Sequence, residues 1–182
     1  MFAMRPVTAT TKGDRQMVRG TRIGLAAALA VLVGSLALTG CSSQDEATTV
    51  TVTHGAVPTP TLVDNGIPGN SVGDTRLFSF DATDEEGEVV RTDWVMTTTA
   101  LDVAPDGFES RVTTGVFAFG DVSNQLILEG AAFYPAEGAT LEPSASTIRS
   151  IIGGSGTYAG ATGWVESTRL ADDTWTHVFH IQ

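Results

Sequence analysis

Lysine is missing from this 182-residue chain after Lys12, and cysteine occurs only once. Beyond residue 40, five arginines stand against 20 acidic residues, a net charge of about −15. Such a surface repels phosphate backbones, which excludes nucleic acid as a partner, and it is pushed away from anionic headgroups. A lone cysteine cannot form an internal disulfide. Helical periodicity is also missing: after residue 41 no stretch of useful length repeats its apolar residues at helical spacing. The three histidines lack metal-ligand spacing. His177 and His180 lie three apart on an expected strand and so face opposite ways, and His54 falls in a tether-like segment; no metal site is expected. "DATDEEGE" (Asp81–Glu88) has its glycine one place late for a calcium loop and no flanking helices, so it reads as a solvated turn.

What is present begins at the N-terminus. Arg5, Lys12, Arg15, Arg19 and Arg22 precede the unbroken apolar run "IGLAAALAVLVGSLAL", which ends in "LTGC". This is the order of an export signal, and the run is short for a membrane span, which needs about 20 apolar residues. Leu38-Thr39-Gly40-Cys41 resembles the bacterial lipobox, whose cysteine is lipidated and becomes the mature N-terminus. Residues 1–40 are therefore expected to be a signal peptide and Cys41 the lipidation site. The protein is expected on the extracytoplasmic face of the bacterial cell membrane, attached through lipid. No twin-arginine pair precedes the apolar run, which favours the general secretory route. Residues 41–69, rich in Thr, Pro and Gly, read as a tether. Within them "TTVTVTH" alternates well enough to be either a first strand or extended linker.

Residues 70–182 read as β throughout. "TRLFSFDAT", "EVVRTDWVMTTTAL", "ESRVTTGVFAF", "QLILEGAAFY", "STIRSII", "TGWVESTRL" and "TWTHVFHIQ" are strand-like and are separated by turn residues. Seven or eight such strands in one domain predict a sandwich or a closed antiparallel barrel. The segment "GSGTYA" fits a dinucleotide-binding glycine pattern, with Asp172 and Asp173 placed like ribose-binding acids. That loop must open a helix, and "AGATGWVESTRL" reads instead as a strand. The Walker-type loop and the serine-nucleophile elbow fail as well, since no Lys-Ser/Thr pair follows Gly156 and Thr157 stands where the elbow needs glycine. No cofactor is expected. The glycines are turn and bulge residues.

Together, Phe119-Gly120-Asp121, Gly130, and the run Gly153, Gly154, Ser155, Gly156, Tyr158, Gly160, Ala161 and Gly163 resemble the signature of the allene oxide cyclase and dirigent barrel superfamily. The similarity spans about residues 70–182. It implies an eight-stranded antiparallel barrel with an apolar cavity, often assembled as a homotrimer. It brings no mechanism: "TTVTVTH" has no acid and "TRLFSF" no asparagine where the plant cyclases use them. The matching residues, Gly120, Asp121, Gly153, Gly154, Gly156, Gly160 and Gly163 among them, are architectural.

Three functions are open to such a chain: a binding protein for a small apolar ligand, an isomerase or cyclase acting by confinement, or a structural barrel with a filled interior. For a binding barrel, the cavity is expected to be roomy and mostly apolar, at about 300–1,000 Å³. Trp94, Phe117 and Trp164 are the expected lining residues. Asp93 and Glu166 are the candidate catalytic carboxylates, as acids among apolar neighbours. Alternation puts Val90, Thr92, Trp94 and Met96 on one face, Trp164 with Glu166, and Trp175 with His177 and Phe179.

Overall fold

The computed structural model describes residues 47–103, 107–136 and 140–182; the proposed signal peptide and Cys41 lie outside them. Alternating β-branched, aromatic and polar residues form nine strands, β1 (Thr48–His54), β2 (Thr61–Val63), β3 (Thr75–Asp84), β4 (Val89–Val103), β5 (Phe108–Phe119), β6 (Gln125–Pro135), β7 (Ser146–Ser155), β8 (Gly163–Arg169) and β9 (Trp175–Ile181). No α-helix interrupts them among the described residues, only a single 3₁₀ turn at Gly156–Tyr158.

From β3 to β9 each strand pairs antiparallel with the next, so the sheet is a plain meander. Closure comes from β1, which pairs with β9 along its whole length and with β3 through Val52–Asp84 and Thr53–Thr83. The result is a closed eight-stranded barrel of β1 and β3–β9, with β2 laid along the first residues of β3. Closure removes the exposed edges that an open sheet would offer to other chains. "TTVTVTH" is thus a strand, and the barrel begins at Thr48 rather than near residue 70. The reason is topological: the meander alone cannot close, and the alternating segment in the supposed tether supplies the missing strand.

The glycine run is a tight corner between β7 and β8. Gly156 has φ +60°, and a Cβ there would lie 2.6 Å from the Ser123 carbonyl oxygen and collide with the Asn124 side chain. Asn124 instead accepts from the Thr157 backbone N–H at 3.1 Å. The loop therefore uses glycine for shape, where a side chain would be strained and would displace backbone.

Inward residues change character along the barrel axis. In β5 they run Glu109, Arg111, Thr113, Gly115, Phe117; in β6, Leu126, Leu128, Gly130, Ala132, Tyr134. One half is packed with Val90, Phe117, Leu126, Leu128, Val165 and Phe179, all at 0 % exposure. Each such side chain contributes about 1.5–3 kcal/mol on burial. The other half holds charge. Arg76, Arg111 and Arg149 are three of the five arginines beyond residue 40, and all are buried inside the barrel. Among the described residues, Glu109 and the loop-capping Asp74 are the buried acids.

Candidate functional site

Between the apolar half and the charged end lies a slot. It is lined by the aromatic rings of Phe80, Trp94 and Trp175, with Tyr134, Arg149 and the histidines His54 and His177 also on it. The space open to a water-sized sphere is about 30 Å³, within an unfilled cleft of about 400 Å³ counted to its mouth. The roomy apolar cavity expected of the sequence is not there. Large inward side chains fill half the barrel, and what they leave is narrow and partly polar.

Two glycines shape this slot by what they leave out. Gly115 is the registered partner of Trp94 on β5, and a Cβ at that position would come within 2.9 Å of the indole ring. Gly130 does the same for Arg149: a Cβ there would sit 3.1 Å from Arg149 Cγ. With both side chains absent, Trp94 lies flat across β5 and the Arg149 stem crosses β6. The indole meets Phe117 edge-on at 5.3 Å and lies 5.8 Å below the Arg149 guanidinium, an arrangement in which the ring face attracts the cation.

His54 and His177 come from the first and last strands. Strand pairing sets His177 opposite Ser167, and His54 opposite Trp175, so the two imidazoles are diagonal neighbours across β1 and β9. Their Nε2 atoms are 3.0 Å apart. His54 Nδ1 lies 2.6 Å from the Gly55 carbonyl oxygen, which can only accept, so this nitrogen bears the hydrogen. In the neutral ring His54 Nε2 is then the acceptor, and His177 Nε2–H donates to it. His177 Nδ1 is left to accept from the Ser167 hydroxyl at 2.8 Å. With both rings neutral a directed chain results, Ser167 to His177 to His54 to the Gly55 carbonyl. Burial lowers the His177 pKa well below its ordinary value, helped by His54 and by the Arg149 charge. Burial also lowers that of His54, against the opposing pull of the Gly55 carbonyl.

Beyond the slot, Glu109 accepts from Arg111 and from Arg76, the latter at 3.3 Å. Arg76 also donates to Thr98 Oγ1 at 3.1 Å, and the Arg111 guanidinium covers the Tyr134 ring at 4.5 Å. Burial, then the Arg76 charge, lowers the Arg111 pKa, and Glu109 works against both. Arg149 differs. It donates to the Tyr134 hydroxyl, and no carboxylate lies within ion-pair distance among the described residues.

The residues singled out from the sequence divide by strand parity. Trp94 and Phe117 point inward at 5 % and 0 % exposure, Trp94 on the slot and Phe117 packed behind it. Trp164 does not line the interior: it is outside, 39 % exposed and stacked on His180 at 4.6 Å, because its neighbour Val165 takes the inward position. Asp93 and Glu166 are outside for the same reason. Asp93 alternates with Trp94, accepts from Ser79 on the surface, and lies 3.8 Å from Arg91. Glu166 sits between the inward Val165 and Ser167. Neither carboxylate is among apolar neighbours inside the barrel, and the titratable groups on the slot are His54, His177, Tyr134 and Arg149. Their pairing spans 123 positions, so no local spacing announces it. Glu109 and Arg111 did have a signal: counting back by twos from Phe117 puts both on the inward face.

Fold and site together define a closed β-barrel with a narrow, aromatic-walled interior site at one end. No family model matches the chain and no curated protein matches it. Among solved structures it is similar to pyocyanin demethylase, with a TM-score of 0.54 and 20% identity, over 75% of this chain and 99% of that one. At that identity the likeness shows the barrel fold.

Proposed function

We propose that this protein is an exported, lipid-anchored barrel of the allene oxide cyclase and dirigent type that binds a small flat molecule in the slot. The observation supporting binding is the slot itself: aromatic walls with a few convergent polar groups, in an otherwise packed interior, are the usual composition of a small-molecule site. Native mass spectrometry of the full chain purified from its own host in mild detergent tests this. The expected result is a retained small molecule, lost when Gly115→Val pushes Trp94 into the slot; the same spectrum reads whether the chain assembles as a homotrimer. A bare chain in every preparation would favour a structural barrel.

One observation favours a catalytic reading as second choice. The His54–His177 pair is held neutral and faces the slot, and an imidazole within reach of a ligand is the commonest acid or base for isomerisation. The solved structure of similar fold is named as a demethylase of pyocyanin, a small molecule.

Export rests on the signal-like N-terminus and on Cys41. Among the described residues no helix is long and apolar enough to cross a membrane. Cys41→Ala is expected to move the protein from the membrane fraction to the soluble fraction. Retention of the cleaved variant in membranes after high-salt washing would refute the lipid anchor.

A further inference from the structure

We infer that the ligand of the slot is an aromatic acid, whose carboxylate is held by the Arg149 guanidinium and the Trp94 indole N–H and whose ring meets the aromatic side chains of the lining. The inference rests on the slot being a binding site and adds the chemical class of its ligand.

Three observations converge on it. The first is charge. Arg149 is 3 % exposed, and a guanidinium removed from water is costly unless something neutralises it. Arg76 and Arg111 share Glu109, but among the described residues Arg149 meets the Tyr134 hydroxyl and the face of Trp94 and no carboxylate. The second is donor excess. Arg149 Nε and Trp94 Nε1 are buried and make no hydrogen bond among the described residues. Both can only donate, so a ligand that satisfies them must bring acceptors. A carboxylate offers two acceptor oxygens and the missing negative charge, and Arg–carboxylate bonds are among the stronger ones that proteins make. The third is construction. Gly130 gives up its side chain where the Arg149 stem passes, and Gly115 gives up its own beneath the six-membered ring of Trp94, so both side chains that carry the donors pass through space that a Cβ would close.

The histidines sharpen the selection. His54 and His177 spend their hydrogens within their own chain, one on the Gly55 carbonyl and one on each other. They stay neutral beside Arg149 and leave it the single positive charge on the slot.

Isothermal titration calorimetry of the full chain in detergent at pH 7.5, with benzoate and its neutral isostere benzamide, tests the inference. Benzoate should bind at least tenfold more tightly than benzamide. Arg149→Met should reduce benzoate affinity at least tenfold and abolish the preference over benzamide, and Arg149→Lys, which keeps the charge and guards against a folding defect, should retain part of the preference. Equal affinity for the two probes, or a preference that survives Arg149→Met, would overturn the aromatic-acid assignment and leave the slot as a neutral-ligand site. Absence of binding by both probes would overturn the assignment, and together with a bare chain in the mass spectrum it would remove the binding reading as well.

Discussion

Glu109→Ala is expected to destabilise the protein by about 3–5 kcal/mol, the range for removing one partner of a buried ion pair. Glu109 is fully buried and is the carboxylate that Arg76 and Arg111 both contact. Without it two buried guanidiniums lose the carboxylate they share, and the loss far exceeds the few tenths of a kcal/mol typical of surface changes. For a domain of this size the melting temperature should drop by about 10 °C. Urea unfolding followed by tryptophan fluorescence measures the loss, since Trp94 and Trp175 are buried. The triple replacement Arg76→Leu, Glu109→Leu, Arg111→Met should cost less than Glu109→Ala alone, because it leaves no charge to solvate. A loss below about 1 kcal/mol for Glu109→Ala would mean that the arginines do not depend on Glu109.

Acid should destabilise the barrel in a window set by the histidine pair. Both imidazoles have their pKa lowered in the folded state, mainly by burial, whereas in the unfolded chain they titrate near 6.5. Above about pH 7 they are neutral in both states and add no pH dependence. Below about 6.5 the unfolded chain binds protons that the fold refuses, so stability falls with pH until the folded pKa is passed. Each histidine contributes a slope of up to about 1.4 kcal/mol per pH unit. Denaturant midpoints between pH 7.5 and 5 should therefore fall steadily, and His177→Phe should remove roughly half of the slope. A flat profile in wild type would show that the rings accept protons in place. Asp74, held low first by the Asn65 and then by the Ser71 backbone N–H, adds a separate loss that begins only near pH 4.

Local chemistry made much of this architecture legible in advance. Alternation with a period of two is a property of the extended backbone, so Val90, Thr92, Trp94 and Met96 share a face however the chain folds, as do Trp175, His177 and Phe179. The strand-rich pattern after residue 70 and the failure of "GSGTYA" to open an α-helix were likewise local matters. A β-protein of antiparallel strands with a glycine corner at 153–163 follows from them.

Only the tertiary structure decided which face turned inward and what met there. Trp164 was as good an aromatic as Trp94, but Val165 and Ser167 fit the inner wall beside His177, and Trp164 was left outside with His180. Asp93 lost the interior to Trp94 on the same grounds. The closing strand was ambiguous while it was read alone, because "TTVTVTH" becomes a strand by pairing with β9 and β3. His54 then reached His177, and Arg149 reached Trp94 through space left by Gly130. Such meetings depend on barrel closure, which brings the first strand to the last and depends on contacts that no local sequence window contains.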